Sequence, residues 1–126
     1  MALLALDLGT KRTGIAVSTS GRLVTPVGTI NSVPRSTFTT ELQRLLKKYE
    51  VTTIVVGDSG LSNFGGAPGE VQMRLTQLFQ LPIVVTEEKA TTKQAQAVTG
   101  RRDHADTEAA CQILERYLED HDEPLT

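Results

Sequence analysis

The stretch MALLALDLGTKRTGIAVS, residues 1–18, decides the fold. Its apolar run through Leu6 reads as a central strand with aliphatic neighbours on both faces, and Asp7 interrupts that run. An ionised aspartate there loses its water and is costly to bury unless something compensates. Two compensations are open: a divalent metal ion, or the backbone N–H groups of the tight turn at Gly9.

Outward from this stretch, residues 2–8 form the first strand, Gly9 to Thr13 a tight connection, and Thr13 to Ser18 the second strand. Ser20-Gly21-Arg22 signals a turn, and Leu23 to Ile30 a third strand, broken or bulged at Pro26 and Gly28. Short connections favour an antiparallel meander. After a loop from Asn31 to Ser36, the spacing of Phe38, Leu42, Leu45, Leu46 and Tyr49 predicts a helix over Thr37 to Tyr49. Val51 to Gly57 is a buried strand. Asp58 to Gly69, with glycines at 60, 65, 66 and 69, reads as a mobile loop. Val71, Leu75, Leu78 and Phe79 mark a helix with Pro68 in its first turn, ended at Leu81-Pro82. Ile83 to Thr86 is the last strand. Thr91 to Val98 reads as a short helix, Thr99 to Arg102 as a basic loop, and Asp103 to about Glu119 as the final helix.

That order gives an α/β fold: a mixed five-stranded sheet, three antiparallel strands then two parallel, with helices on both faces. A length of 126 residues fits one domain, residues 1–126, with an acidic tail over about 119–126. No apolar run approaches the length of a membrane span, and the N-terminus lacks the basic region and cleavage site of a signal peptide. The lone Cys111 suits a reducing cytoplasm, as a small buried group on the last helix. The formal charge of −2 hides an asymmetry. Residues 1–50 hold seven Lys/Arg against three Asp/Glu, and residues 51–126 hold six against twelve, so the protein is able to carry a basic face.

Acids stand at three places where strand and helix ends converge. Asp7 is one. Glu87 and Glu88 follow the last strand at its C-terminal end, a common ligand position in α/β sheets, and alternation lets only one of them face Asp7. Asp106 lies in the first turn of the final helix, on or near the stripe of Ala109, Ala110, Ile113, Leu114, Tyr117 and Leu118. Helix-dipole chemistry is the alternative reading of Asp106, although Asp103 fits the N-cap better. Hard carboxylate oxygens, with no Cys or His pair at zinc spacing, favour Mg²⁺ or Mn²⁺. Such a cluster suits two-metal hydrolysis of a phosphodiester. Lys11 and Arg12 either hold the phosphates flanking a scissile bond or form an ordinary solvated turn. Lys89, Lys93, Arg101 and Arg102 would supply a second basic cluster, or a solubilising loop. Thr92 caps the short helix or bonds a phosphate. Few aromatics are present, and most fall on core stripes, which points to backbone and shape readout of nucleic acid rather than base stacking.

Asp7 to Ser18, Ile54 to Gly57, Glu87-Glu88-Lys89-Ala90-Thr91-Thr92 and Asp106 to Ala110 occur in the order seen in the YqgF/RuvX family, which this chain resembles through nearly its whole length. The resemblance implies a ribonuclease H-like fold. It also implies the functions for which that family is named, Holliday junction resolution and pre-16S ribosomal RNA processing. It picks Glu88, with Asp7 and Asp106, as the catalytic and metal-binding set for Mg²⁺ or Mn²⁺, two ions in all. Lys11, Arg12, Lys89, Thr92, Arg101 and Arg102 become the nucleic-acid contacts. By analogy with the fold, cleavage would leave a 5′-phosphate and a 3′-hydroxyl. Four departures stand out: Glu87 replaces an aspartate, Lys89 an arginine, Asp58-Ser59 an apolar residue and proline, and the segment between Thr92 and Asp106 is shorter than usual. The implied partner is structured DNA or RNA, and the implied state a monomer or weak homodimer in the cytoplasm.

Two other readings compete. Asp7-Leu8-Gly9-Thr10 with a second glycine also resembles the phosphate loop of actin-like ATPases, although those proteins duplicate the domain. A non-catalytic nucleic-acid- or ribosome-binding module is the other reading, motivated by the altered Glu87-Glu88-Lys89 segment.

Overall fold

Leu4 and Leu6 turn to one side of the first strand, Leu3 and Ala5 to the other, and each side meets its own core. This is the alternation of a strand buried twice over. The computed structural model describes residues 2–86 and 102–120, the side chains of 102–106 and 120 excepted. Its elements are β1 (Ala2–Asp7), β2 (Arg12–Ser18), β3 (Thr25–Asn31), α1 (Arg35–Lys48), β4 (Val51–Gly57), α2 (Asp58–Leu61), a 3₁₀ turn (Ser62–Phe64), α3 (Pro68–Phe79), β5 (Ile83–Thr86) and α4 (Arg102–Asp120). The five strands lie in the order β3-β2-β1-β4-β5. The β1–β2 and β2–β3 pairs are antiparallel, and the β1–β4 and β4–β5 pairs are parallel. The mixed sheet expected from the sequence is the sheet observed.

One face carries the larger core. Leu4, Leu6, Leu8, Ile54 and Val56 pack there against Phe38 and Leu42 of α1, Leu61 and Phe64, and Val71 and Leu75 of α3. Phe38 sits edge-on to Phe64 and Phe79, with ring centroids 4.9 and 6.5 Å apart, a favoured aromatic geometry. The opposite face is covered by α4, whose Ala110, Ile113 and Leu114 meet Leu3, Ala5, Ala16 and Val55. The direction of α4 follows from its far end. Glu115, Leu118 and Glu119 border the turn residues Gly21 and Arg22, which follow Ser18, the partner of Leu3. The helix therefore runs against β1, and its N-terminal end lies at the Asp7 end of the sheet.

Several boundaries differ from the sequence reading. β3 starts at Thr25, leaving Leu23 outside and 75% exposed. The bulge is where it was expected: Ile15 pairs with Gly28 and Ala16 with Pro26, so Val27 is the extra residue, and Gly28 takes φ +134°. α1 begins at Arg35, two residues early, because extended Pro34 serves as its N-cap. Within the expected mobile loop over 58–69, residues 58–64 form α2 and the 3₁₀ turn, which bury Gly60, Leu61 and Phe64, and α3 begins at Pro68, so only residues 65–67 lie outside regular structure. α3 stops when Gln80 turns left-handed and donates its N–H to the Thr76 carbonyl. α4 starts at Arg102, so Asp103 stands in its first turn rather than at the cap. The expected helix over 91–98, the basic loop up to Arg101 and the tail from 121 lie outside the described residues. Among the described residues no helix is long and apolar enough to cross a membrane.

Candidate functional site

Strand pairing builds a row across the sheet at the C-terminal ends of its parallel strands. Asp7 pairs with Gly14 of β2. Leu6 pairs with Val56 of β4, so the next position sets Asp7 beside Gly57, and Gly57 pairs with Thr86 of β5. Asp7 follows Leu3 and Ala5 by alternation, which puts this row on the face covered by α4. The half-buried Asp7 thus has a glycine across from it on either neighbouring strand, both buried.

Thr86 ends the row. It is 9% exposed, and its Oγ1 has no hydrogen-bond partner among the described residues. A buried hydroxyl left unpaired costs about 1–3 kcal/mol. Carboxylate and hydroxyl oxygens are hard donors of the type that Mg²⁺ and Mn²⁺ take, directly or through water. Asp7 is the residue of this row that fits a hard divalent cation, while Thr86, with β4 between them, stands about 9.5 Å away and would join such a site only through water. Thr86 was not singled out in the sequence, where only its place at a strand end hinted at a site.

The turn that presents Asp7 is clamped from two directions. Asn63 donates its side-chain N–H to the Leu8 carbonyl at 2.8 Å. Gly60 lies so close to Leu8 that a Cβ on it would stand 2.8 Å from the Leu8 carbonyl oxygen. On the other side, the Ser32 N–H bonds the Lys11 carbonyl at 2.8 Å, and the Ser32 and Thr13 hydroxyls bond each other at 2.8 Å in full burial. A Cβ on Gly9 would come within 2.3 Å of the Arg12 carbonyl oxygen, so this tight turn admits only glycine there. None of Ser32, Gly60 and Asn63 announces itself in the sequence, since each acts through a contact distant along the chain.

The other sequence candidates divide by what is described. Lys11 is exposed and Arg12 half-buried, both at the Asp7 end of the sheet. The backbone of Asp106 stands one turn before Ala110 on α4, near the end of the helix that lies toward Asp7. Arg102 opens that helix. Glu88, Lys89, Thr92 and Arg101 lie outside the described residues. Among the described residues no three His, Cys, Asp or Glu side chains gather; of the sequence-derived trio, only the Asp7 side chain is described.

A family model described as "RuvX: Holliday junction resolvase" matches residues 1–120. A protein of Roseiflexus sp. (strain RS-1) named "Putative pre-16S rRNA nuclease" is 33% identical over 131 aligned positions, covering 93% of this chain and 93% of the relative. A protein of the same name from Enterococcus faecalis (strain ATCC 700802 / V583) is 31% identical, over 96% of this chain and 99% of its own length. Among solved structures, the fowlpox virus Holliday junction resolvase superposes with a TM-score of 0.61 at 12% identity, over 95% of this chain and 99% of the other. The fowlpox resolvase in complex with substrate Holliday junction DNA gives 0.57 at 13% identity, over 98% and 100%. These two likenesses bear on the fold, while the family rests on the matched sequence: from Met1 to Asp120 this chain belongs to the RuvX family.

Proposed function

We propose that this chain hydrolyses phosphodiester bonds in structured nucleic acid, using divalent cations at the Asp7 end of the sheet. The observation that carries the reading is the row Gly14, Asp7, Gly57 and Thr86, in which the one carboxylate has a glycine on each neighbouring strand at the C-terminal ends of the parallel strands. Asp7 anchors the cations, and Glu88 and Asp106 complete their coordination. Glu88 follows by two residues the Thr86 end of β5 in the sequence, and the direction of α4 supports Asp106. When bound, two Mg²⁺ or Mn²⁺ ions supply an activated water and stabilise the leaving oxygen.

The chain's own contribution is position and charge. Lys11 and Arg12, one turn from Asp7, hold phosphates beside the scissile bond. Lys89, Thr92, Arg101 and Arg102 would add to that hold. Symmetric cutting of a four-way junction requires two such sites and hence a dimer, whereas trimming a ribosomal RNA precursor requires one. A single cysteine accords with a cytoplasmic setting.

The test compares four-way junctions, duplexes and single strands of DNA and RNA with Mg²⁺, Mn²⁺ or chelator. Wild-type protein cleaves at least one structured substrate with metal only, and Asp7→Asn protein, folded by circular dichroism, does not. Tight binding without product under either ion would leave the chain a non-catalytic binding module.

A further inference from the structure

On the sheet face opposite the Asp7 row, a cleft of about 160 Å³ opens between α1 and α3. Its floor is carbon: Phe38, Phe64 and Leu75 line it, and Leu78 forms part of the rim while remaining 47% exposed. Two guanidinium groups also line it, Arg35 from the start of α1 and Arg74 from α3. Arg35 lies over the Phe64 ring, 3.7 Å from its centroid, and donates to the Ser32 carbonyl. Arg74 donates to the carbonyls of Phe64, at 3.3 Å, and of Gly65. Partial burial, and then the charge of Arg74, pull Arg35 below its ordinary pKa, so the two cations feel each other.

Neither arginine is ion-paired among the described residues. Glu70 precedes Arg74 by one turn of α3 without reaching ion-pair distance. A guanidinium has five N–H donors, and the carbonyls named above use few of them. Like charges facing each other across an apolar cleft are repulsive until an anion joins them. Water over the carbon floor has few partners there and is displaced favourably by an apolar group, whereas water at the two guanidinium groups is replaced without loss only by an acceptor such as a carboxylate.

We propose that this cleft docks an acidic, apolar segment of a protein partner, with a leucine-like or aromatic side chain seated on Phe38 and Leu75 and an adjacent carboxylate bridging Arg35 and Arg74. Charge complementarity selects the carboxylate. The floor favours a side chain over a base, because Phe38 and Phe64 are 1% and 6% exposed and Arg35 already covers the Phe64 ring, so no open aromatic face is left for a base to stack on. Exposed Leu78 continues the apolar surface past the cleft, as an extended peptide needs. The partner would sit behind the sheet and leave the Asp7 end open, so binding here is compatible with cleavage there.

The probe is a terminally blocked pentapeptide of alternating aspartate and leucine, titrated into ¹⁵N-labelled full-length protein and followed by NMR. Saturable shifts are expected at the Arg35 and Arg74 side-chain N–H groups and the Phe64 and Leu78 amides. Arg35→Gln and, separately, Leu78→Asp weaken binding at least tenfold, while nucleic-acid cleavage and the folded spectrum stay unchanged. Leu78→Asp alters a half-exposed rim position, so it tests the cleft without touching the core. Absence of saturable shifts up to ~10 mM peptide, weaker than any useful contact, overturns the proposal. So does an equal response to the peptide with asparagine for aspartate, to inorganic phosphate alone, or only to a single-stranded oligonucleotide.

Discussion

The Asn63 side chain reaches across 55 residues of sequence to donate to the Leu8 carbonyl at 2.8 Å, on the residue next to Asp7. This bond and the close approach of Gly60 hold the end of β1 against the segment that follows β4. Asn63→Ala is expected to cost about 0.5–1.5 kcal/mol, the net worth of one hydrogen bond. The larger effect falls on chemistry, because a reacting group displaced by a fraction of an ångström loses roughly tenfold or more in rate. Urea unfolding measures the first, and cleavage with Mn²⁺ calorimetry the second. If stability falls while metal affinity and cleavage rate hold, Asn63 is structural only.

Gly57 has φ −75° and ψ 135°, a backbone conformation open to any residue. Its lack of a side chain therefore does not serve backbone conformation; what a side chain there would take up is buried room next to Asp7. Gly57→Val, a good strand former, is expected to keep the protein folded and to lower cleavage by roughly a hundredfold, the scale of a misplaced reacting group. Mn²⁺ affinity measured by calorimetry should fall in parallel. Full cleavage by folded Gly57→Val protein would show that the lane is not used.

The parts of the fold written in local periodicity were legible. β4 and β5 begin and end where the apolar runs do, and the bulge in β3 is written in Pro26 and Gly28. The segment after Gly57 was not legible: Leu61 and Phe64 stand among glycines and polar residues, and their burial comes from packing on Leu8 and α1 rather than from a local pattern. The same division runs through the site. Asp7 is conspicuous because a charge breaks an apolar run, whereas Ser32, Gly60 and Asn63 support it through distant contacts that no short window of sequence contains.

Cys111 on α4 is half-buried, packing against the core on the Asp7 face. Burial first, then the charges of Glu115 and Glu108, raise its thiol pKa. Alkylation by iodoacetamide, which requires the thiolate, should therefore rise at higher pH in the folded protein than in urea. Because the folded pKa exceeds the unfolded one, the thiol's contribution to stability is complete below the unfolded range, near pH ~8.5. It is lost as pH climbs through the folded value. Glu108→Gln/Glu115→Gln should move the alkylation profile part of the way back, since burial is the larger cause. Identical profiles for folded and unfolded protein would remove the effect.

Thr13 and Ser32 share a fully buried hydroxyl pair at 2.8 Å, and either oxygen is able to donate. Thr13→Val keeps the shape but strands the Ser32 hydroxyl, and Ser32→Ala strands that of Thr13. Each single change is expected to cost about 1–3 kcal/mol, because an unpaired buried group loses its solvation without return. The double variant removes both polar groups together, so it should cost less than the sum, with a coupling of about 0.5–3 kcal/mol from urea unfolding of all four proteins. Additive costs would mean that the hydroxyls do not depend on each other. The backbone bond from Ser32 N–H to the Lys11 carbonyl survives in every variant. Cleavage per folded molecule should accordingly stay constant around the cycle, which separates the hydroxyl pair, a contributor to stability, from the backbone clamp that sets Lys11 beside the site.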